Sequence, residues 1–209
     1  IDVIRNSNII VRHMHVPLQS GSNTVLKRMR RKYTMAEYEE RILKLKEAIP
    51  GVAITSDVIV GFPGETEEEF METYEFIKKH KYAELHVFPY SKRAGTPAAR
   101  MENQVPKEVK EERVKRLIEL SNELAREFAD QFKGEVLDVI PETTYREDPE
   151  SGLYEGYTDN YLKVAFPATA DMVGKIVRVK IAEPGYPYCK GEFVRVMDDD
   201  LPLQRSEAM

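Results

Sequence analysis

Cysteine is nearly missing from this sequence: Cys189 stands alone among 209 residues. One thiol cannot close an intrachain disulfide, and it cannot by itself build a cysteine-ligated cluster or a structural zinc site. No apolar run approaches the ~18 residues of a membrane-spanning helix. The start at Ile1 lacks the basic, apolar and small-residue order of a signal peptide. These absences predict a cytoplasmic protein with no membrane partner. A surplus of positive charge is missing too. The formal net charge of −5 argues against a globally basic nucleic-acid binder and leaves room only for a local basic stripe. There is no initiator methionine, internal repeat or low-complexity tract. Ile1 opens into IDVIRNSNIIVRH, which reads as a helix tail followed by a turn, so the expectation is a chain cut from something longer.

What is present reads as two textures. The length, with 42% hydrophobic residues, suffices for one sizeable core or two modest ones. The first half alternates strand and helix. An extended run at His15 to Leu18 leads through a Ser/Gly turn into a helical segment from Thr24, rich in Lys and Arg. Thr34 and Glu37 form a capping box ahead of an apolar face of Tyr38, Ile42, Leu45 and Ile49, stopped by Pro50-Gly51. Val52 to Val60 has the β-branched run of a strand buried in a parallel sheet. Gly61-Phe62-Pro63-Gly64 ends it, and a second capping box, Thr66 to Glu69, starts the next helix. A third strand covers Glu84 to Tyr90. The long helix after Pro106 carries a stripe of Val109, Arg113, Leu117, Leu120, Leu124, Phe128 and Phe132. Three βα units of this kind predict right-handed crossovers in a parallel sheet. From Gly134 the texture changes to short strands at Val136 to Ile140, Tyr161 to Phe166, Lys175 to Ile181 and Glu192 to Val196, a small all-β barrel. The expected division is 1–133, then 134–197, then a disordered tail over 198–209.

In parallel α/β barrels the reactive face lies at the carboxyl ends of the strands. Polar and glycine motifs gather there: Gln19-Ser20-Gly21, then Asp57 and Ile59 with Gly61 to Thr66, then Phe88 to Ser91 with Arg93 to Pro97. Taken singly, such glycines and prolines are more often turn residues, and Gly-Phe-Pro-Gly-Glu-Thr alone could cradle a phosphate. Asp57 stands out because an ionised carboxylate in an apolar strand needs partners, which a ligand amine or hydroxyl would supply. His13 and His15 share a face, yet without further ligands at suitable spacing they make a poor metal site, so packing or surface roles are expected. Cys189 is expected to pack in the barrel. The basic run Lys27 to Lys32 reads as a solvated helix face from which one arginine can turn inward.

Three stretches in order carry a resemblance: HVPLQSGSNTVLKRMRRKYT, TSDVIVGFPGETEEEF and HVFPYSKRAGTPAA. They resemble successive barrel segments of the radical S-adenosylmethionine methylthiotransferases. The final all-β segment resembles the TRAM domain, an OB-like RNA-binding barrel. The resemblance implies α/β followed by all-β: the C-terminal half of a radical SAM (β/α) partial barrel, then a TRAM barrel. LYEGYTDNYLKVAFPA and LHVFPYSKRAGTPAARM look most like the branch that modifies threonylcarbamoyl-adenosine in tRNA; other branches act on isopentenyl-adenosine in tRNA or on a ribosomal protein. The implied chemistry uses S-adenosylmethionine on a 4Fe–4S cluster held by Cys-x3-Cys-x2-Cys, generating a 5′-deoxyadenosyl radical, with a second 4Fe–4S cluster handling sulfur. The product would be a 2-methylthio adenosine next to the anticodon. Positions matching cofactor contacts are Gln19, Arg31, Asp57, Ile59 and the backbone around Ser91, with Arg28 and Arg30 as neighbours of Arg31. Neither cysteine triplet is present, so the fragment is expected to be catalytically silent, with no catalytic residue or metal ligand of its own and weak or no binding of S-adenosylmethionine.

For RNA, aromatics that stack bases and cations that track phosphates are the needed types. Tyr157, Tyr161, Lys163 and Lys180 are the candidates, although acidic residues outnumber basic ones from Gly134 to Met197. The same tyrosines could equally fill a small barrel. Expected partners are tRNA, the missing N-terminal domains of the parent chain, and a second copy paired through an exposed sheet edge. A non-enzymatic RNA-binding module is the alternative class.

Overall fold

The computed structural model describes residues 1–7 and 9–197; the tail expected over 198–209 lies outside them. The chain divides into two compact units that interleave in sequence. One, the α/β unit, comprises residues 14–45 and 54–124; the other, the barrel unit, comprises 1–13, 46–53 and 125 onward. The boundaries expected from sequence fall at 133/134 and 197/198.

In the α/β unit a three-stranded sheet runs in the order β1 (His13–His15), β2 (Ala53–Val60), β3 (Glu84–Pro89). β2 and β3 are parallel, with Asp57 opposite His86 and Ile59 opposite Phe88. Strand alternation gives β2 two characters. Ile54, Val58 and Val60 are fully buried, whereas Asp57 and Ile59 look out from the other face and are only half-buried. Besides the short α1 (Asp2–Arg5) of the barrel unit, the helices are α2 (Asn23–Arg28), α3 (Met35–Ala48), α4 (Glu67–His80) and α5 (Lys107–Asp130), and α3 and the first part of α5 follow the predicted apolar stripes. Tyr38, Ile42, Phe70, Ile77, Leu117 and Leu120 are all buried. Both capping boxes form. The Glu37 amide donates to Thr34 Oγ1 and the Thr34 amide to Glu37 Oε2; Thr66 and Glu69 repeat the exchange at α4.

The first strand lies two residues earlier than predicted. Pro17 has no amide hydrogen, and the Leu18 amide donates to Ser56 Oγ at 2.8 Å instead of to a ladder carbonyl. Pairing with β2 resumes at Gln19, whose amide donates to the Asp57 carbonyl and whose carbonyl accepts from the Ile59 amide. Arg113, on the predicted apolar stripe, is buried because it pairs with Glu65 of the turn after β2, Nη1 to Oε1 at 2.7 Å.

The barrel unit contains a closed five-stranded barrel in the order β4 (Val136–Thr144), β5 (Leu153–Thr158), β6 (Lys163–Pro167), β8 (Cys189–Val196), β7 (Val177–Glu183). Neighbours are antiparallel except β6 and β8. Its interior holds Val139, Val164, Phe166, Val177, Val179, Ile181 and Cys189, all fully buried. β5 was not foreseen: buried Glu155 and Gly156 interrupt the apolar alternation that marks a strand. Gly156 is required there, since a Cβ would come within 2.1 Å of the Ile140 carbonyl oxygen. Tyr161, expected inside a strand, sits in the β5–β6 turn with φ +67°. The same turn is held by the N-terminal segment. Arg12 forks onto Asp159 through Nε at 2.6 Å and Nη2 at 2.9 Å and also donates to the Pro50 carbonyl, while the Asn160 amide group donates to the Gly51 carbonyl.

Candidate functional site

A cleft of ≈570 Å³ opens in the α/β unit at the carboxyl ends of β2 and β3, within the ~300–1,000 Å³ common for small-molecule sites. Each of the five residues proposed from sequence for cofactor contact, Gln19, Arg31, Asp57, Ile59 and Ser91, lines it. Phe62, Phe88 and Tyr90 supply further apolar wall. Gln19 is held in the left-handed region at φ +65°, a costly conformation for a residue with a Cβ, fixed here by its two backbone bonds to β2. Its side-chain oxygen accepts from Arg31 Nη2 at 2.8 Å. The structure thereby chooses among the neighbouring arginines: Arg31 turns to the cleft, whereas Arg28 is held by Glu69, with Nη2 to Oε2 at 2.5 Å. Burial pushes the Glu69 carboxyl up, but hydrogen bonds from Arg28, Thr24 and the Thr66 amide outweigh it and hold the group at about 2. Glu65 moves the other way. Burial raises its pKa against the lowering effect of the Gly61 amide and Arg113. The Tyr90 hydroxyl is buried with no hydrogen-bond partner, the kind of orphan a ligand or water in this cleft would satisfy.

Asp57 does not need a ligand for the reason given from sequence. Its carboxylate already has two partners, His86 Nδ1 at 3.2 Å from Oδ1 and His15 Nε2 at 3.3 Å from Oδ2. His86 escaped sequence reasoning because only the β2–β3 register sets it opposite Asp57. Of the two histidines for which packing or surface roles are expected, His13 packs, stacking on Tyr161 with ring centroids 4.3 Å apart, whereas His15 lies against Asp57.

In the barrel unit the candidate RNA residues are largely engaged with one another. Tyr161 stacks on Tyr157 at 4.7 Å as well as on His13, so both of its faces are covered. Lys163 donates to the Tyr188 hydroxyl at 3.0 Å and lies over the Tyr188 and Tyr157 rings. The Tyr188 hydroxyl in turn donates to buried Glu155. Lys180 is half exposed and lies 3.7 Å from Glu192.

A model of the Radical SAM superfamily matches residues 1–77. The chain is 65% identical over 201 residues to the threonylcarbamoyladenosine tRNA methylthiotransferase MtaB of Bacillus subtilis, covering 96% of this chain and 45% of that protein. It is 44% identical over 181 residues to the tRNA-2-methylthio-N(6)-dimethylallyladenosine synthase of Acetivibrio thermocellus, covering 87% of this chain and 37% of that protein. The chain thus spans less than half the length of these relatives. Coproporphyrinogen III oxidase (HemN) of Escherichia coli, a radical SAM enzyme, aligns at TM-score 0.45 and 15% identity over 82% of this chain and 41% of that one, a loose likeness.

Proposed function

We propose that this chain, similar in sequence to the radical SAM tRNA methylthiotransferases, forms part of an enzyme of that family that adds a 2-methylthio group to N6-threonylcarbamoyladenosine beside the anticodon of tRNA. The observation that carries the substrate choice is the 65% identity to a relative named for that nucleoside, against 44% to one named for the dimethylallyl nucleoside.

The cleft suits S-adenosylmethionine. Ile59 and Phe88 offer an apolar wall for a purine, the Gln19–Arg31 pair offers polar contacts, the backbone near Ser91 runs along its rim, and the Tyr90 hydroxyl awaits a partner. When bound, that cofactor supplies one-electron radical chemistry. These residues bind and orient the cofactor. The two 4Fe–4S clusters of the family do not fit this chain, because its single thiol is fully buried, donates to the Gly185 carbonyl, and has its pKa raised by burial. A cluster would need its ligands from outside this sequence.

The α/β unit corresponds in this reading to part of a radical SAM barrel. The five-stranded barrel corresponds to a TRAM domain; its one parallel pair, β6 with β8, gives the Greek-key closure of an OB-like barrel. Partners are tRNA and the remainder of the parent enzyme, with β1 and β3 as the sheet edges through which a further strand or a second copy would pair. No described helix is long and apolar enough to cross a membrane, and a cytoplasmic location accords with tRNA as substrate. Mass spectrometry of tRNA nucleosides tests the function: deleting the gene removes 2-methylthio-N6-threonylcarbamoyladenosine and restoring it brings the nucleoside back. Loss of the 2-methylthio dimethylallyl nucleoside instead would transfer the protein to the other branch.

A further inference from the structure

We propose that His15, Asp57 and His86 form a binding site for a divalent first-row transition ion of the zinc or ferrous type. The three residues come from, or next to, three neighbouring strands, and their ligand atoms lie within 4.8 Å of one another. The carboxylate lies between the two imidazoles, His86 Nδ1 3.2 Å from Oδ1 and His15 Nε2 3.3 Å from Oδ2; each separation, to its own oxygen, is near the ~3.3 Å between ligands expected for bonds of ~2.0–2.1 Å, so an ion would meet the carboxylate through both oxygens or turn it to offer one. The scaffold is stiff, since Asp57 and His86 are direct partners in the parallel ladder.

The surroundings of the cluster fit the same chemistry. The remaining ring nitrogen of His15, Nδ1, lies 3.0 Å from Thr55 Oγ1. A proton on Nδ1 donated to that hydroxyl leaves Nε2 its lone pair, the outer-shell arrangement that orients metal-binding imidazoles. Two imidazoles and one carboxylate favour zinc, ferrous iron or cobalt over magnesium and calcium, which take oxygen sets. Three protein ligands leave coordination positions open, as in catalytic rather than structural sites. The side chains are 37%, 30% and 50% exposed for His15, Asp57 and His86, so an ion can enter. Asp57 also lines the cleft, so the ion would stand at the cleft wall. None of this depends on the methylthiotransferase reading.

The test uses the 209-residue chain, stripped with chelator and titrated with Co²⁺ by visible absorption and with Zn²⁺ by calorimetry. Wild type takes up one ion per chain with the d–d bands of four- or five-coordinate Co²⁺. His15→Ala, His86→Ala and Asp57→Asn each weaken binding at least about tenfold, while His13→Ala leaves it unchanged. Zn²⁺ raises the melting temperature of wild type and not of His86→Ala, whose circular dichroism reports that it is folded. Wild-type binding no tighter than that of a His15→Ala/His86→Ala double variant overturns the proposal and leaves a metal-free set of hydrogen bonds, each imidazole donating an N–H to the carboxylate.

Discussion

The two units treat their polar residues in opposite ways. Around the cleft, Gln19, Arg31, Asp57 and Ser91 line an open space, with Gln19 bonded to Arg31, Asp57 set between His15 and His86, and the Gln19 backbone held in a costly conformation. In the barrel unit, Tyr157, Tyr161, Lys163, Tyr188 and Glu155 satisfy one another. Residue types that suit a ligand therefore do not make a site by themselves; the cleft pairs its polar groups too, but does so along an open wall, with the Tyr90 hydroxyl left without a partner.

The sharpest way to break this contrast is through the buried ion pair of each unit. In the α/β unit both partners are almost fully buried, at 4% and 2% exposure for Arg113 and Glu65. Arg113→Met strands the carboxylate and lowers unfolding free energy by about 3–5 kcal/mol in urea titrations. In the barrel unit Asp159 keeps 20% of its side chain exposed, so Arg12→Met costs less, about 1–3 kcal/mol. Equal costs would erase the difference in burial on which the comparison rests. A smaller effect is read in acid. Glu69 is held at about 2 in the folded chain, below its ordinary value. Its contribution is therefore complete above that ordinary value and is lost as pH falls toward 2. Stability measured across that window falls more steeply in wild type than in Glu69→Gln. The smallest effects concern tRNA. With both ring faces covered, Tyr161→Ala changes filter-binding affinity by less than the ~1–3 kcal/mol of a stacked base. Lys180→Ala lowers the salt slope by about 1. A full stacking loss at Tyr161 would mean that RNA pries the rings apart.

Legibility followed the range of the interaction. Capping boxes, the alternation of β2 and the strand-end motifs are encoded within a few residues, so the helices could be read directly, whereas the five residues that line the cleft were singled out by the family resemblance. What required pairing register could not. His86 becomes Asp57's partner only through the parallel ladder, and Arg12 meets Asp159 across 147 positions. β5 was hidden for another reason. Glu155 is buried because Arg146, Lys163 and Tyr188 satisfy its carboxylate, and Gly156 is demanded by the closeness of β4; neither looks like a strand residue alone.

The fork of Arg12 on Asp159 has a consequence for how the chain is made. Residues 1–13 are made before the α/β unit, yet the turn that receives them follows only after the whole of that unit has emerged. The α/β unit can assemble as it appears, whereas the barrel unit must wait; Ile9, Ile10 and Val11 of its first segment are 39–87% exposed within this chain. Long-range closure of this kind slows folding. The early segment is thus the stretch most in need of protection during synthesis, and a chain interrupted before Asp159 would carry Arg12 without the carboxylate that fixes it.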